Sequence, residues 1–216
     1  NPLTSFYILL SITLGAGSAA AFNMWFDRDI DKEMERTKNR PIPLGIITPL
    51  EALLFGIFTG FFSLIFMYFV SNYLATLLLL FTILFYILIY TAWLKRKTSL
   101  NIVIGGAAGA IPPIIGWTAV IPEINFLPIS LFLIIFFWTP PHFWALSVYR
   151  FNDYEKVKVP MLPNVTSIDD TKNQIIYYTV LLIILSYLPI ISSQVGLIYT
   201  LTVSFLNIFI FLGVLK

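Results

Sequence analysis

Long apolar runs alternate with short polar connections along almost the whole chain. Each run is about 20 residues long and nearly free of charge, the length at which an α-helix crosses the hydrocarbon core of a bilayer. The runs show no two-residue alternation, and a bilayer requires backbone groups to pair within the segment, so helices are predicted rather than strands. Seven runs are present, at residues 4–22, 49–70, 73–94, 101–121, 127–147, 174–193 and 196–215.

The composition agrees with a membrane protein. Of the 216 residues, 58% are hydrophobic and 11% are charged, whereas soluble domains average about 45–50% apolar and about 25% charged residues. We therefore predict an all-α, polytopic transmembrane helix bundle that forms one domain over residues 1–216. No charged segment precedes the first run, so no signal peptide is expected. Because apolar runs lie close to both ends, we expect further helices beyond them.

Lysine and arginine residues are concentrated in alternate connections. Of the 13 such residues, five lie in 23–48, three in 95–100, four in 148–173, and the last is Lys216. The connections between these loops contain none, an alternation that follows the positive-inside rule. The pattern predicts that the three charged loops share the cytoplasmic side of the cell membrane.

The composition also excludes several kinds of site. The chain has no cysteine, which excludes disulfides and thiolate metal sites, and its single histidine, His142, excludes a multi-histidine zinc site. The cations are few and belong to membrane loops, so nucleic-acid binding is not expected. Transporters usually place ionisable residues near the bilayer midplane, whereas these spans are almost free of charge, which argues against ion transport.

Residues 23–43, NMWFDRDIDKEMERTKNRPIP, carry ten charged residues at regular spacing. If the first helix continues through this stretch, positions four apart share one face. Two rows then lie side by side: an acidic row of Asn23, Asp27, Asp31 and Glu35, and a basic row of Arg28, Lys32, Arg36 and Arg40. Pro41 and Pro43 are expected to end the helix.

These two rows suit the binding of a diphosphate together with Mg²⁺. Magnesium takes hard oxygen ligands, usually one or two carboxylates completed by substrate phosphates and water. Asp27 and Asp31 can reach one such ion, and Asn23 can supply an amide oxygen. The neighbouring cations can bind the phosphate oxygens that the metal leaves free. The alternative is a solvated helix end that is neutralised by its own ion pairs.

A second polar cluster follows the fifth run, in WTPPHFWALSVYRFNDYEKVKVPMLPNV at 138–165. It contains Arg150, Asp153, Tyr154, Lys156 and Lys158. Because this loop shares a predicted side with residues 23–48, the two loops can close over a common cavity. The two lysines also fit ordinary positive-inside flanking. His142 is either a hydrogen-bonded helix residue or a haem ligand.

A run of small residues, GGAAGAIPPIIGW at 105–117, lies within the fourth apolar run. Glycine and alanine allow close approach of helices, so tight packing is predicted here. Pro112 and Pro113 are expected to kink or break the helix, and a break can also open space for a ligand. Most of the aromatic residues are expected to face lipid or to pack, with a few facing a cavity.

Together these motifs resemble those of the UbiA-type intramembrane prenyltransferases. The stretch at 23–43 is similar to the first Asp-rich motif of that family, which has Asn and two Asp at four-residue spacing. DRDIDKEMERTKNRP, NIVIGGAAGAIPPIIGW, WTPPHFWALSVYR and DYEKVKVPMLP are similar, more narrowly, to the branch that farnesylates haem. The resemblance spans residues 23–163. The family has about nine transmembrane helices, which implies that this chain lacks the first and the last.

The resemblance implies a Mg²⁺-assisted transfer of a farnesyl group from farnesyl diphosphate to a vinyl group of haem b. It gives the metal-binding and catalytic roles to Asn23, Asp27, Asp31 and Asp153. The candidates for binding diphosphate are Arg28, Lys32, Arg36, Arg40, Lys95, Arg96, Arg150, Tyr154 and Lys158. His142 is the candidate for contacting haem, and Arg150 could instead pair with a haem propionate.

Two further features concern the second Asp-rich motif and the group that accepts the prenyl chain. Many relatives carry a second pair of Asp at four-residue spacing, but here Val157 lies four residues after Asp153. A second Mg²⁺ site built from this loop alone is therefore not expected. Members of the family that prenylate an aromatic quinone precursor or a lipid alcohol share the first motif, whereas PPHFWAL and VPMLP favour haem.

Overall fold

The computed structural model describes residues 1–214, which form helices and turns with no β-strand in that range. Seven helical segments of this range are long and apolar enough to cross a membrane. They are Pro2–Phe26, Pro49–Val70, Tyr73–Arg96, Asn101–Thr118, Phe126–Tyr149, Ile168–Ile191 and Leu197–Val214. The predicted all-α fold and its seven spans are confirmed. The predicted end of the last run at 215, and Lys216, lie outside the described residues.

Several spans are divided into shorter elements. The first three spans comprise α1 (Pro2–Phe26), α2 (Arg28–Glu33), α3 (Pro49–Val70), α4 (Tyr73–Leu84), a π-helix (Phe85–Trp93) and a 3₁₀ turn (Leu94–Arg96). The next two comprise α5 (Asn101–Ala110), α6 (Pro112–Thr118) and α7 (Phe126–Tyr149). The remainder comprises α8 (Phe151–Lys156), α9 (Leu162–Val165), α10 (Ile168–Leu185), α11 (Leu188–Ile191) and α12 (Leu197–Val214).

Polar residues fix where two of the spans begin. At α3, the Thr48 hydroxyl accepts a hydrogen bond from the Glu51 backbone N–H at 3.2 Å, and the Glu51 carboxylate accepts from the Thr48 N–H at 2.7 Å. This reciprocal capping box satisfies backbone donors that the first helical turn leaves unpaired. At α4, the Asn72 side chain accepts from the Ala75 N–H at 3.0 Å.

The fourth span is broken where its prolines predicted. The chain leaves α5 at Ile111, and Pro112 opens α6 at a position where its missing N–H costs no helical hydrogen bond. The fifth span behaves differently, because Pro140 and Pro141 lie inside the continuous helix α7. The fourth span is therefore two short helices, whereas the fifth is one continuous helix.

Small residues bring the helices close together, as predicted. Between α1 and α3, the Ser18 hydroxyl donates to the Gly56 carbonyl at 2.7 Å, and a Cβ atom on Gly60 would lie 2.7 Å from Ser18 Oγ. In α5, a Cβ on Gly105 would lie 2.2 Å from the Tyr90 ring, and one on Gly106 would lie 2.9 Å from Thr139. Helix α5 is thus closely packed between the π-helix and α7.

The three charged loops meet at one end of the bundle. Arg96 of the second loop contacts Asp29 of the first at 2.7 Å. Asp153 of the third loop accepts a hydrogen bond from the Glu35 backbone N–H of the first at 2.8 Å. These contacts bring the three loops together, so they can act on one cavity.

The first charged stretch is less helical than expected. Helix α2 ends at Glu33, and Met34 has an extended backbone with ψ of 130°. The predicted continuation to Pro41 is therefore wrong, and Glu35, Arg36 and Arg40 leave the two rows. The physical reason is that contacts with the third loop, described below, bind the backbone beyond Met34 in place of helical hydrogen bonds.

The Gly105–Tyr90 contact generates a stability prediction. We expect Gly105→Ala to lower the free energy of unfolding by about 1–3 kcal/mol, because the new methyl group overpacks against the ring. The control is Gly109→Ala in the same helix, where a Cβ meets nothing within 4 Å. Thermal unfolding in detergent compares the two variants. Equal unfolding temperatures for both would contradict the packing described here.

Candidate active site

A cavity of about 400 Å³ lies at the end of the bundle where the charged loops meet. Its polar wall consists of Asn23, Asp31, Arg36, Arg40, Lys95, Asn101 and Tyr154. Its aromatic wall consists of Tyr86, Tyr90, Trp138 and Phe143. The cavity thus combines a charged end with an apolar interior.

Three members of the acidic row stay together despite the bend between α1 and α2. The Asp27 N–H donates to the Asn23 carbonyl at 2.9 Å, and the Asp31 N–H donates to the Asp27 carbonyl at 2.8 Å. These bonds preserve the four-residue spacing across the bend. The exposed fractions of Asn23, Asp27 and Asp31 are 8%, 0% and 2%. We refer to these three residues as the buried row.

Each carboxylate of the buried row is paired with a cation from another segment. Asp27 forms an ion pair with Lys95, and its Oδ2 accepts from the Asn23 side-chain amide at 2.9 Å. Asp31 accepts from Arg40 at 2.7 Å. Buried charges are stable only when paired and hydrogen-bonded, so these contacts explain how two carboxylates tolerate this depth.

The cavity wall carries more positive than negative charge. Arg36, Arg40 and Lys95 line it together with the carboxylate of Asp31. One cation is in excess even when Asp27 is counted, which pairs with Lys95 from behind the wall. An anion with several oxygens, such as a diphosphate, is the ligand that such a wall favours. The structure thus brings three of the predicted diphosphate-binding cations to one place, with Tyr154 beside them.

Arg96 pairs mainly with Asp29, outside the buried row. Its guanidinium donates to both carboxylate oxygens of Asp29 at 2.7 Å and approaches Asp27 at 3.4 Å. The hydrogen bond from Arg96 lowers the pKa of the Asp29 carboxyl from its ordinary value to about 2. Asp29 therefore stays ionised at neutral pH and neutralises Arg96, which lies outside the cavity wall.

Arg28 and Lys32 do not reach the cavity. They line a separate surface hollow together with Asp29, between α2 and residues 42–49. Arg28 donates to the Trp25 carbonyl at 2.6 Å, and its guanidinium lies 5.3 Å from the centre of the Trp25 ring. The first half of the basic row thus lines a different space from the buried row, and the expected diphosphate role of these two residues stays a prediction.

Three predicted residues of the third charged loop also lie outside the cavity wall. Arg150 lies over the Tyr149 ring at 5.1 Å, and Lys158 is exposed in a left-handed turn with φ of 54°. Asp153 is 9% exposed, and its carboxylate accepts from the backbone N–H groups of Glu35 at 2.8 Å and Arg36 at 3.2 Å. Both oxygens of Asp153 therefore bind backbone donors, and its predicted metal role stays a prediction.

His142 lies on the exposed side of α7. Its ring stacks on Trp138, with centroids 4.5 Å apart and planes 16° apart. Trp138 lines the cavity, so its ring separates His142 from that space. The predicted haem contact at His142 stays a prediction.

The sequence interpretation missed the aromatic wall of the π-helix. Tyr86 and Tyr90 both line the cavity, with ring centres 5.2 Å apart. The available signal was a pair of tyrosines four residues apart in an apolar run, shortly before Lys95. Hydropathy does not distinguish a π-helix from an α-helix, although π-helical segments are frequent at functional sites.

A second, apolar slot of about 220 Å³ adjoins the cavity. Small residues of α1, among them Gly15, Ala16, Ala19 and Ala20, form one wall of the slot. Tyr86 and Gly109 line both spaces, so the slot lies directly beside the charged cavity. Pro112 borders the slot, which agrees with the expectation that the helix break opens space for a ligand.

The buried row suits a hard divalent cation. Two carboxylates and an amide oxygen are donors of the kind that such ions prefer. The Asn23 amide nitrogen donates to Asp27 and to Thr91, which leaves its oxygen as the available end. Within residues 1–214 no three Asp, Glu, His or Cys side chains form a metal cluster. A cation at the row would therefore depend on ligand oxygens as well.

Comparison with known proteins agrees with this geometry. The chain is 52% identical over 199 residues to the protohaem IX farnesyltransferase of Parvibaculum lavamentivorans, an alignment that covers 92% of this chain and 63% of that protein. It is 49% identical over 208 residues to the protein of the same name from Granulibacter bethesdensis, covering 96% and 66% of the two chains. The chain thus spans somewhat less than two thirds of the length of these relatives.

Solved structures share the fold. A UbiA homologue from Archaeoglobus fulgidus, bound to dimethylallyl diphosphate and Mg²⁺, matches with a TM-score of 0.80 at 16% identity, over 98% of this chain and 74% of the other. A digeranylgeranylglyceryl phosphate synthase matches with a TM-score of 0.79 at 21% identity, over 99% and 74%. The family model described as the UbiA prenyltransferase family matches residues 1–216. The chain is a multi-pass membrane protein and belongs to the UbiA prenyltransferase family.

Proposed function

We propose that the protein transfers a farnesyl group from farnesyl diphosphate to a vinyl group of haem b, which gives haem O. The observation that carries the proposal is the cavity, where the buried row and three cations lie beside an apolar slot. Relatives about half identical to the chain carry the name protohaem IX farnesyltransferase, which supports haem as the acceptor.

The proposed reaction joins two apolar groups and releases a diphosphate. The bond between farnesyl C1 and the diphosphate oxygen breaks, and the oxygen keeps the electron pair. The terminal vinyl carbon of haem then forms a bond with farnesyl C1. Water adds to the other vinyl carbon and loses a proton, which leaves a hydroxyl group. The haem side chain therefore gains one farnesyl group and one hydroxyl.

The charged end of the cavity would favour departure of the diphosphate. Mg²⁺, when bound, would be held by Asn23, Asp27 and Asp31 and would neutralise part of the diphosphate charge. Arg36, Arg40 and Lys95 face the same space and stabilise the negative charge that grows on the leaving group.

The aromatic wall would protect the allylic cation that forms. Tyr86, Tyr90 and Trp138 present π faces to the cavity, and such faces attract cations. Their bulk also keeps water away from the cation before haem reacts. The farnesyl chain would extend into the slot beyond Tyr86 and Gly109, where the walls are apolar and small.

We propose that haem approaches along α7. Trp138 connects the cavity to His142 on the exposed side of that helix, where a haem in the bilayer could make contact. The cell membrane is the proposed location, with the charged end on the cytoplasmic side, because the three Lys- and Arg-containing loops meet there.

The test is a mass measurement on extracted haem. Membranes containing the protein are supplied with haem b, farnesyl diphosphate and Mg²⁺, and we expect haem to gain the mass of a farnesyl group plus a hydroxyl. Asp31→Asn should reduce turnover by about 100-fold or more, because it removes a charge from the buried row. Glu35→Gln is the matched control, since Glu35 belongs to the predicted acidic row but is exposed and paired with Lys38.

Two results would oppose this function. Unmodified haem together with a prenylated phenolic acid would indicate an enzyme of quinone synthesis, and a prenylated lipid alcohol would indicate a lipid-synthesising enzyme. Equal loss of turnover in Asp31→Asn and Glu35→Gln would remove the buried row from the mechanism.

The ion pair between Lys95 and Asp27 yields a second prediction. Lys95→Met leaves a fully buried carboxylate whose remaining cation, Arg96, lies 3.4 Å away, and we expect a loss of about 3–5 kcal/mol in unfolding free energy. Adding Asp27→Asn should recover part of that loss, because the unpaired charge disappears. Chemical unfolding in detergent measures both effects, with the exposed Lys97→Met as control. A double variant less stable than Lys95→Met alone would contradict the pairing.

The passage at Gly109 yields a third prediction. A Cβ there meets nothing within 4 Å, so Gly109→Leu should fold and fill the junction between cavity and slot. We expect its affinity for farnesyl diphosphate, relative to dimethylallyl diphosphate, to fall about tenfold or more. Gly17→Leu is the control, because its Cβ also meets open space but it lines neither space. If calorimetry finds the ratio of the two affinities unchanged, the farnesyl chain does not pass Gly109.

A further inference from the structure

We infer that Asp153 is a positioning residue that holds residues 33–40 against the cavity, instead of a metal ligand. The hydrogen bonds from the backbone of Glu35 and Arg36 to the Asp153 carboxylate are present in this fold. Their effect on diphosphate binding rests on the proposed function, because they act through Arg36 and Arg40.

The contact joins two loops that are far apart in sequence. One carboxylate oxygen of Asp153 accepts the Glu35 backbone N–H at 2.8 Å, and the other accepts the Arg36 backbone N–H at 3.2 Å. Both donors follow directly after the end of α2, where the backbone has left the helix. A carboxylate offers two acceptor oxygens side by side, so it matches two consecutive amides, and charge strengthens both bonds.

Helix α8 binds the same segment at two further points. The Lys156 ammonium donates to the Glu33 backbone carbonyl at 2.9 Å and lies 3.5 Å from the Glu33 carboxylate. Tyr154 packs in an apolar cluster with Met34 and Met161. Polar contacts on two sides and an apolar contact between them therefore fix residues 33–36 to α8.

The segment held in this way carries two of the three cavity cations. Arg36 and Arg40 line the cavity, and Arg40 reaches Asp31 at 2.7 Å. The Thr37 hydroxyl donates to the Asp31 carbonyl at 3.2 Å, which connects the same segment back to the buried row. Loss of the Asp153 contact would release the backbone on which both guanidinium groups depend.

The geometry disfavours a metal role for Asp153 itself. Both of its oxygens accept backbone hydrogens. The hydrogen bonds of Asp27 and Asp31, in contrast, come from side chains, which can move. A metal ligand would need its oxygens to face the buried row. Turning Asp153 toward a metal would also leave two backbone donors without the partner they have here.

Amide hydrogen exchange without metal or diphosphate tests the contact directly. Asp153→Asn keeps the shape but offers one acceptor oxygen, and its amide hydrogens would face backbone donors. We expect the amides of Glu35 and Arg36 to exchange roughly tenfold faster or more. Glu155→Gln is the matched control, since Glu155 is an exposed carboxylate on the same short helix. It should leave exchange unchanged.

Kinetics distinguish positioning from metal binding. Asp153→Asn should raise the KM for farnesyl diphosphate about tenfold, with little change in the Mg²⁺ concentration that gives half-maximal activity. Unchanged exchange at Glu35 and Arg36 together with a raised Mg²⁺ requirement would overturn the inference. If Asp153→Asn fails to fold, Lys156→Met is the second variant. Unchanged exchange of the backbone amides of residues 33–36 in that variant would overturn the inference. If the wild-type protein does not farnesylate haem, the proposed function fails, while the exchange result still decides this inference.

Discussion

The structure depends on pairing two buried carboxylates with cations that come from other segments of the chain. Asp27 and Asp31 are almost fully buried, where an unpaired charge would be strongly destabilising. Lys95 reaches Asp27 from the third span, and Arg40 reaches Asp31 from the loop beyond α2. The same ion pairs that make the buried row stable therefore bring these loops together around the cavity.

This pairing also prepares the cavity for an anion. A cation that neutralises a buried carboxylate would be available to a phosphate if a metal ion took over that carboxylate. Arg36 adds a further charge from the segment that α8 holds. The apolar slot behind Tyr86 lies beside this charged wall, so the two adjacent spaces differ in the chemistry of the groups they suit.

The sequence predicted the parts of this arrangement that depend on local spacing. Apolar run length identified the seven spans, and four-residue spacing identified Asn23, Asp27 and Asp31, because the rise and the turn of a helix are local properties of the chain. The direction of Arg28 and Lys32 and the partners of Asp153 could not be predicted in this way. They depend on where α2 ends, which is set by contacts with a loop about 120 residues later.

The π-helix before Lys95 has a consequence for chain length. A π-helical turn holds roughly one residue more than an α-helical turn, because its hydrogen bonds span five residues instead of four. Removing one residue between Phe85 and Trp93 would therefore let the segment rewind as an α-helix with little rotation of Lys95 relative to Asp27. Such a deletion would instead shift Tyr86 and Tyr90 along the cavity wall. The extra residue thus determines the shape of that wall, and the ion pair does not depend on it.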